Sequence, residues 1–262
     1  MVAAQSLPPA LGALVDGYAW HPVEIGESGG SVHRLTAPDR PSLFLKQGTG
    51  RTATDIVDEF ARLAWLQSRW PVPRIVHFTA ADDTAWLLTT ALPGQAAYAW
   101  LCDHPAKRGA AVAGMAQFLR RLHTLPPELC PFNAALPLRL AAARANIDAG
   151  RIDLDDFQPE HEGWSAEQLW TKIQDILPIP HDPVVTHGDF SLDNIFLDED
   201  GNVLGCIDVG RVGLADRYQD LAVLAACLDE FDLDLKTLLY AGYGVEPDLN
   251  RIALHLALDE LF

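Results

Sequence analysis

Basic side chains are scarce in this sequence: 19 lysines and arginines stand against 36 aspartates and glutamates, a formal charge of −17 at neutral pH. A field of that sign repels nucleic acid and anionic membrane and draws in cations, so neither nucleic acid nor membrane is expected as a partner. Cysteine is sparse too. Cys102, Cys130, Cys206 and Cys227 show no Cys-x-x-Cys spacing, which argues against a disulfide framework or a zinc site and reads them as small buried hydrophobes in a reducing compartment. Any metal should be a hard, oxygen-bound ion. Long apolar runs are missing: the longest, Leu221 to Leu228, falls far short of the roughly 18 residues of a membrane span. The first lysine or arginine is Arg34, and Leu11 to Val15 is too short for a signal h-region, so a cytoplasmic protein is expected. There is no internal repeat or low-complexity segment.

Core-forming material is plentiful. With 49% of 262 residues hydrophobic, the chain is globular, as one large domain or two lobes. Short β-like runs occupy the first third: Val23 to Ile25, Val32 to Leu35, Leu43 to Lys46, Arg74 to Phe78 and Trp86 to Thr90, separated by Gly, Pro and Asp turns. One helix interrupts them. Thr52 to Asp55 reads as a capping box, Ile56, Phe60 and Leu63 recur at helical spacing, and Pro71 and Pro73 stop the chain beyond. After Gly94 the pattern turns helical, with Ala111, Met115, Phe118 and Leu122 on one face of Arg108 to Leu125. The exception is Val184 to Asp208, where Asn194 to Leu197 and Val203 to Ile207 flank a hairpin turn, Asp198 to Asn202. The expected fold is α+β and two-lobed: residues 1–91 a small antiparallel β-lobe with one helix, residues 92–262 a larger, mainly helical lobe.

The strongest chemical signal is Thr186-His187-Gly188-Asp189-Phe190-Ser191-Leu192-Asp193-Asn194, with Asp208 fourteen residues after Asn194 in Ile207-Asp208-Val209-Gly210. A loop carboxylate, an amide at the start of a hairpin and a carboxylate at its return converge on one spot. Asn194 and Asp208 offer hard oxygens suited to Mg²⁺ beside substrate phosphates, leaving Asp189 to face an incoming hydroxyl. In the first lobe, strand alternation sends Leu43 and Leu45 to one face and Phe44 and Lys46 to the other, pairing a ring suited to adenine with an ammonium suited to phosphate. An edge-strand lysine lying over Phe44 is the alternative. A lysine partly buried at a nucleotide needs a carboxylate, and Glu59 in the following helix supplies one, with Asp55 and Asp58 as neighbours. Between the first two strands, Gly26 to Val32 is a Gly-rich turn in which Ser28 and Ser31 add hydroxyls for phosphate oxygens.

These elements resemble the His-x-Asp-x-x-x-x-Asn and Asp-x-Gly signatures of the protein-kinase-like superfamily, in the His-Gly-Asp form of aminoglycoside 3'-phosphotransferases. The resemblance extends to Trp70-Pro71-Val72-Pro73, Arg121-Leu122-His123-Thr124, Ile207 to Arg211, Ala215 to Asp220 and the ending Leu258-Asp259-Glu260-Leu261-Phe262. It implies an ATP- and Mg²⁺-dependent kinase that phosphorylates the 3'-hydroxyl of antibiotics such as kanamycin or neomycin and confers resistance, acting as a monomer or weak dimer. The 1–91 lobe would bind nucleotide and the 92–262 lobe would carry the catalytic loop and the aminoglycoside site. It further implies that Asp189 is catalytic, that Asn194 and Asp208 hold metal, and that Ser28, Phe44, Lys46, Glu59 and Ile207 meet the nucleotide. Thr89 takes a gatekeeper-like place, and the Thr90 carbonyl and Leu92 amide meet the base. His187 and His123 are read as structural.

Acidic residues outside this set gather at Asp153, Asp155, Asp156, Glu160 and Glu162, at Asp229, Glu230, Asp232 and Asp234, and at Asp259 and Glu260. One exposed ammonium–carboxylate contact is worth roughly 1 kcal/mol against the about 8 kcal/mol of micromolar binding, so a polyamine sugar engaging several is the fitting ligand. The family likeness names Asp155, Asp156, Glu230, Asp259, Glu260 and the Phe262 carboxylate as substrate-binding. The alternatives are a kinase of another small alcohol, of macrolide, choline or homoserine type, which does not call for the acidic ending, and a pseudokinase, which does not call for the full set Lys46, Glu59, Asp189, Asn194 and Asp208. A protein kinase is disfavoured by the lack of Ala-Pro-Glu after Asp208.

Overall fold

A computed structural model describes residues 7–23, 30–180, 182–231 and 234–262. The expected strand residues 24 and 25, most of the Gly-rich turn with Ser28, and Asp232 lie outside the described residues. The chain forms two compact units. The first is Met1–Pro93 together with Leu204–Gly210, and the second is Gly94–Val203 with Arg211–Phe262.

The first unit runs α1 (Pro9–Val15), β1 (Ala19–Val23), β2 (Ser31–Ala37), β3 (Arg40–Thr49), α2 (Arg51–Leu66), β4 (Ile75–Ala81) and β5 (Thr84–Thr90). Its five strands make one antiparallel sheet in the order β1-β2-β3-β5-β4. Asp39 and Asp82, at φ 57 and 54, turn the β2–β3 and β4–β5 hairpins in the left-handed region that aspartate tolerates. Alternation along β3 places Leu43 and Leu45 in a core with Leu35, Trp86 and Leu88, closed by Leu11 and Val15 of α1. That helix is absent from the expected elements. Its signal is present in the sequence, since Pro9 stands in the first turn and Leu11 and Val15 are four apart.

Helix α2 buries Ala53, Ile56, Glu59, Leu63 and Leu66, and Phe60 stacks on Phe78 of β4 at 3.9 Å. The expected capping box does not form. The helix starts earlier, from Gly50 at φ 58 with no side-chain cap, and the Thr54 hydroxyl donates to the Gly50 carbonyl. Thr52 acts in packing instead, its methyl so close on Gly48 that a Cβ there would lie 2.4 Å away.

The second unit contains β6 (Gln95–Ala96), α3 (Ala97–Asp103), α4 (Arg108–Leu122), α5 (Leu136–Asp148), α6 (Ala166–Ile176), β7 (Pro183–Thr186), β8 (Ile195–Leu197), β10 (Gly213–Asp216), α7 (Tyr218–Cys227), α8 (Asp234–Tyr243) and α9 (Leu249–Asp259), while the intervening β9 (Val203–Cys206) leads into the first unit's Leu204–Gly210. Ala111, Met115, Phe118 and Leu122 are all buried on α4. A second core joins α5, α6 and α9 through Ala143, Leu169, Ile173, Leu254 and Leu258, and takes in Phe157 and Leu261. The turn after β8 forms as expected. Asp198 Oδ1 accepts from the amides of Asp200 and Asn202, and Gly201 takes φ 91. None of the four cysteines is in a disulfide; Cys130 and Cys206 are buried, whereas Cys102 is exposed, because α3 turns Ala97, Trp100 and Leu101 inward and Cys102 outward. No helix among the described residues is long and apolar enough to cross a membrane.

Candidate active site

In the first unit Lys46 pairs with Leu87 across β3 and β5, on the opposite face from Leu43 and Leu45. Its Nζ donates to Glu59 Oε2 at 2.7 Å and lies 3.5 Å from Asp208 Oδ1. Asp58 pairs with Arg62 instead. Burial alone would lower the Lys46 pKa; Glu59 and Asp208 outweigh it and hold the ammonium above its ordinary value. Asp208 is exposed and sits at φ 56, a strained conformation for most residues but one aspartate adopts. The segment leading to it is pinned to the Trp70-Pro71-Val72-Pro73 motif. The Cys206 amide donates to the Pro71 carbonyl, and a Cβ on Gly205 would stand 2.5 Å from that oxygen. Phe44 and Ile207 are half-buried. At the end of β5 the Thr90 amide donates to the Arg74 carbonyl and the Thr90 hydroxyl accepts from the Arg74 amide, while Thr89 and Leu92 are half-buried.

In the second unit the loop after β7 is held from beneath by α7. Asp220, fully buried, accepts from the His187 and Gly188 amides at 2.7 Å each and meets His123 Nε2 at 2.9 Å. Gln219 donates to the Gly188 carbonyl. Burial would raise the Asp220 pKa, but the bonds from His123 and the loop hold it below the ordinary carboxylate value. His123 also meets the Tyr243 hydroxyl, and His187 is fully buried with its Nδ1 accepting from the Asp189 amide. Both histidines thus work as fixed parts of the scaffold.

The Asn194 amide group donates to the Asp189 carbonyl at 3.0 Å and to Asp189 Oδ2 at 3.2 Å. That polarity leaves Asn194 Oδ1, the harder donor, as the atom available to a cation. Among the described residues no three His, Cys, Asp or Glu side chains cluster as metal ligands. An amide oxygen is a hard donor of the kind Mg²⁺ takes beside phosphate and water.

The expected substrate-binding carboxylates fare unequally. Asp155 and Asp156 are exposed in the loop between α5 and α6. Glu230 is exposed and accepts from the Tyr98 hydroxyl at 2.7 Å. Asp259 is shared by Arg139 at 3.3 Å and Arg211 at 3.5 Å, and both guanidiniums lie over the exposed Phe262 ring. Burial, with Arg211 close by, pushes the Arg139 guanidinium down to about 10 despite Asp259. Glu260 departs from the expectation of a carboxylate open to a ligand. Its side chain is only 4% exposed, and it accepts from the Gln158 amide and from His161. Arg139, His161 and Tyr98 escape a reading of the sequence, because no motif or periodicity sets them apart.

A lysine–glutamate–aspartate cluster on an antiparallel sheet, with an aspartate loop braced by a buried helix, defines a protein-kinase-like phosphotransferase. The chain belongs to the phosphotransferase enzyme family, whose profile matches residues 19–255. An aminoglycoside 3'-phosphotransferase of Escherichia coli is 49% identical over 94% of this chain and 91% of its own length, and one of Salmonella typhimurium is 48% identical over the same shares. Among solved structures, an aminoglycoside-3'-phosphotransferase of type VIII superposes with a TM-score of 0.88 at 34% identity, covering 97% of each chain. A Streptomyces rimosus aminoglycoside phosphotransferase in complex with ADP and streptomycin gives 0.81 at 29% identity, covering 96% of this chain and 95% of that one.

Proposed function

We propose that this enzyme transfers the γ-phosphoryl group of ATP to the 3'-hydroxyl of aminoglycosides of the kanamycin and neomycin kind, and that it thereby confers resistance to them. The observation that carries the reading is the Lys46–Glu59–Asp208 cluster, present together with the Asp189–Asn194 loop in a chain 49% identical to an aminoglycoside 3'-phosphotransferase. Lys46, kept charged by its two carboxylates, binds phosphate oxygens. Phe44 and Ile207 pack on the base, whose edge meets the Thr90 carbonyl and the Leu92 amide. Mg²⁺ is the cofactor, held by Asn194 Oδ1 and Asp208, and when bound it neutralises the charge of the phosphates.

Asp189 orients the attacking hydroxyl and receives its proton. Phosphoryl transfer passes through a loose transition state, so positioning contributes more than nucleophile activation. Asp155, Asp156, Glu230, Asp259 and Phe262 recognise the polyamine sugar. The test is turnover with MgATP and kanamycin, followed by ADP release, with the phosphorylated position read by phosphorus NMR. Turnover at the 3'-position is expected. Phosphorylation of a macrolide, choline or homoserine with none of kanamycin or neomycin would overturn the reading.

A further inference from the structure

Glu230 ends a 3-10 turn, Leu228–Glu230, that runs on directly from α7, the helix whose Gln219 and Asp220 brace the catalytic loop. Its backbone is anchored on both sides: Leu228 is buried, and the Phe231 amide donates to the Leu228 carbonyl at 3.1 Å. Its side chain is exposed. Left to itself, such a side chain spreads over many rotamers. Among the described residues one group alone bonds its carboxylate, the Tyr98 hydroxyl of α3, which donates to Oε2 at 2.7 Å.

Tyr98 is itself fixed from two directions. Its backbone amide donates at 3.2 Å to the carbonyl of Leu192, which lies in the loop between Asp189 and Asn194. Its ring meets that of Phe231 edge to face at 5.6 Å, and Phe231 in turn lies under the Arg108 guanidinium at 4.8 Å. Arg108 Nε donates back to the Leu101 carbonyl of α3 at 2.8 Å. A tyrosine has two side-chain torsions, so a ring held in this way presents its hydroxyl in one direction at little entropic cost. The bond to Glu230 also holds the phenol pKa above its ordinary value, so the hydroxyl keeps its proton and remains the donor.

We propose that Tyr98 is a positioning residue for substrate recognition: its hydroxyl holds the Glu230 carboxylate in one rotamer, and its backbone amide ties that carboxylate's support to the catalytic loop at Leu192. The recognition half rests on the reading of Glu230 as a ligand of the polyamine sugar, whereas the contact itself does not. The bond occupies one oxygen of Glu230, and an ionised carboxylate has a second with which to accept an ammonium. Affinity falls with the fraction of molecules in the competent rotamer. Freed of Tyr98, the first two torsions of Glu230 have up to about nine staggered wells, so a loss of about three- to tenfold in aminoglycoside affinity is expected.

Tyr98→Phe isolates the hydroxyl, because phenylalanine keeps the ring on Phe231 and the amide bond to Leu192. It strands no buried group, since Glu230 is exposed and water replaces the lost donor. Kanamycin affinity by calorimetry, kcat, the Michaelis constant for MgATP and the melting temperature should be measured on wild type, Tyr98→Phe, Glu230→Ala and the double variant. The kanamycin dissociation constant should rise about three- to tenfold in Tyr98→Phe, with kcat, the MgATP constant and the melting temperature unmoved. It should rise in Glu230→Ala as well, and the double variant should match Glu230→Ala, because a residue that acts only through Glu230 has nothing left to act on. A further rise in the double variant, by the same factor as in wild type, would make Tyr98 an independent contact and overturn the proposal. A fall in kcat or in MgATP affinity in Tyr98→Phe would make it a general support of the catalytic loop and overturn it equally. An unchanged kanamycin constant in Tyr98→Phe, with a raised one in Glu230→Ala, would overturn the proposal and leave the substrate site standing. Unchanged affinity in Glu230→Ala would remove Glu230 from that site and the proposal with it.

Discussion

Asp189 is joined to its loop by its backbone as well as its carboxylate, since Asn194 donates to its carbonyl too. Asp189→Ala should therefore keep the loop and nucleotide affinity while turnover falls about 10²- to 10⁴-fold, the usual contribution of a positioned acid–base group; calorimetric ATP titration beside steady-state assay checks both halves. Asp208 is a different case, because φ 56 restricts what replaces it. Asparagine tolerates that conformation, so Asp208→Asn should melt close to wild type yet bind MgATP poorly and lose nearly all turnover. Asp220 carries a pH dependence. Its folded pKa lies below the ordinary value, so it stabilises the native state above that ordinary value of 3.8, and the stabilisation is lost as pH falls through the folded pKa. Asp220→Asn should cost on the order of 3 kcal/mol at pH 7, the scale of a broken buried pair, and should flatten the acid limb of a urea-stability profile taken down through pH 3. The contact between Asp189 and Asn194 is legible in the sequence, because the loop motif fixes residue type and spacing together. Glu260 is not, because charge is visible in a sequence and burial at a chain end is hidden.

The catalytic loop depends on one glycine. Gly188 takes φ 92, and a Cβ there would lie 2.5 Å from the Arg211 carbonyl oxygen. Gly188→Ala should cost at least about 1–3 kcal/mol of backbone strain, a fall of roughly 2–4 °C in melting temperature for each kcal/mol in a chain of this size, and turnover should fall with it because Asp189 is the next residue; thermal melts and assays of the same preparation test this. The elements themselves are largely legible. Alternation marks β3 and β5, the 3.6-residue period marks α2 and α4, and the Asp-rich turn marks the hairpin after β8. What escapes is local competition. Thr52 looks like a cap but packs against Gly48, and α1 is so short that its stability comes from covering Leu35, Leu43 and Leu45 and not from its own propensity.

At the scale of the molecule, the charge of −17 acts on both substrates with opposite sign. Salt shortens the Debye length to about 8 Å at 0.15 M, so the Michaelis constant for kanamycin should rise with ionic strength while that for MgATP, an anion approaching an anionic protein, should not rise with it and should fall slightly. Parallel titrations with sodium chloride from low to physiological strength decide the matter, and parallel slopes would refute it. Deleting the acidic ending is a poor substitute for such a test, because Leu261 is fully buried and its carbonyl accepts from Asn146. The segment Leu204–Gly210 has a further consequence, for how the chain is made. It belongs with Met1–Pro93 although all of Gly94–Val203 is synthesised between them. Ribosomes add about 5–20 residues per second, so the emerging sheet waits on the order of ten seconds for Asp208, with Lys46 held by Glu59 alone. A gene fragment ending at the 93/94 junction encodes a sheet that never receives its second carboxylate. Split-protein reporters cut there should recover less activity than ones cut after Gly210, where the first unit leaves the ribosome whole.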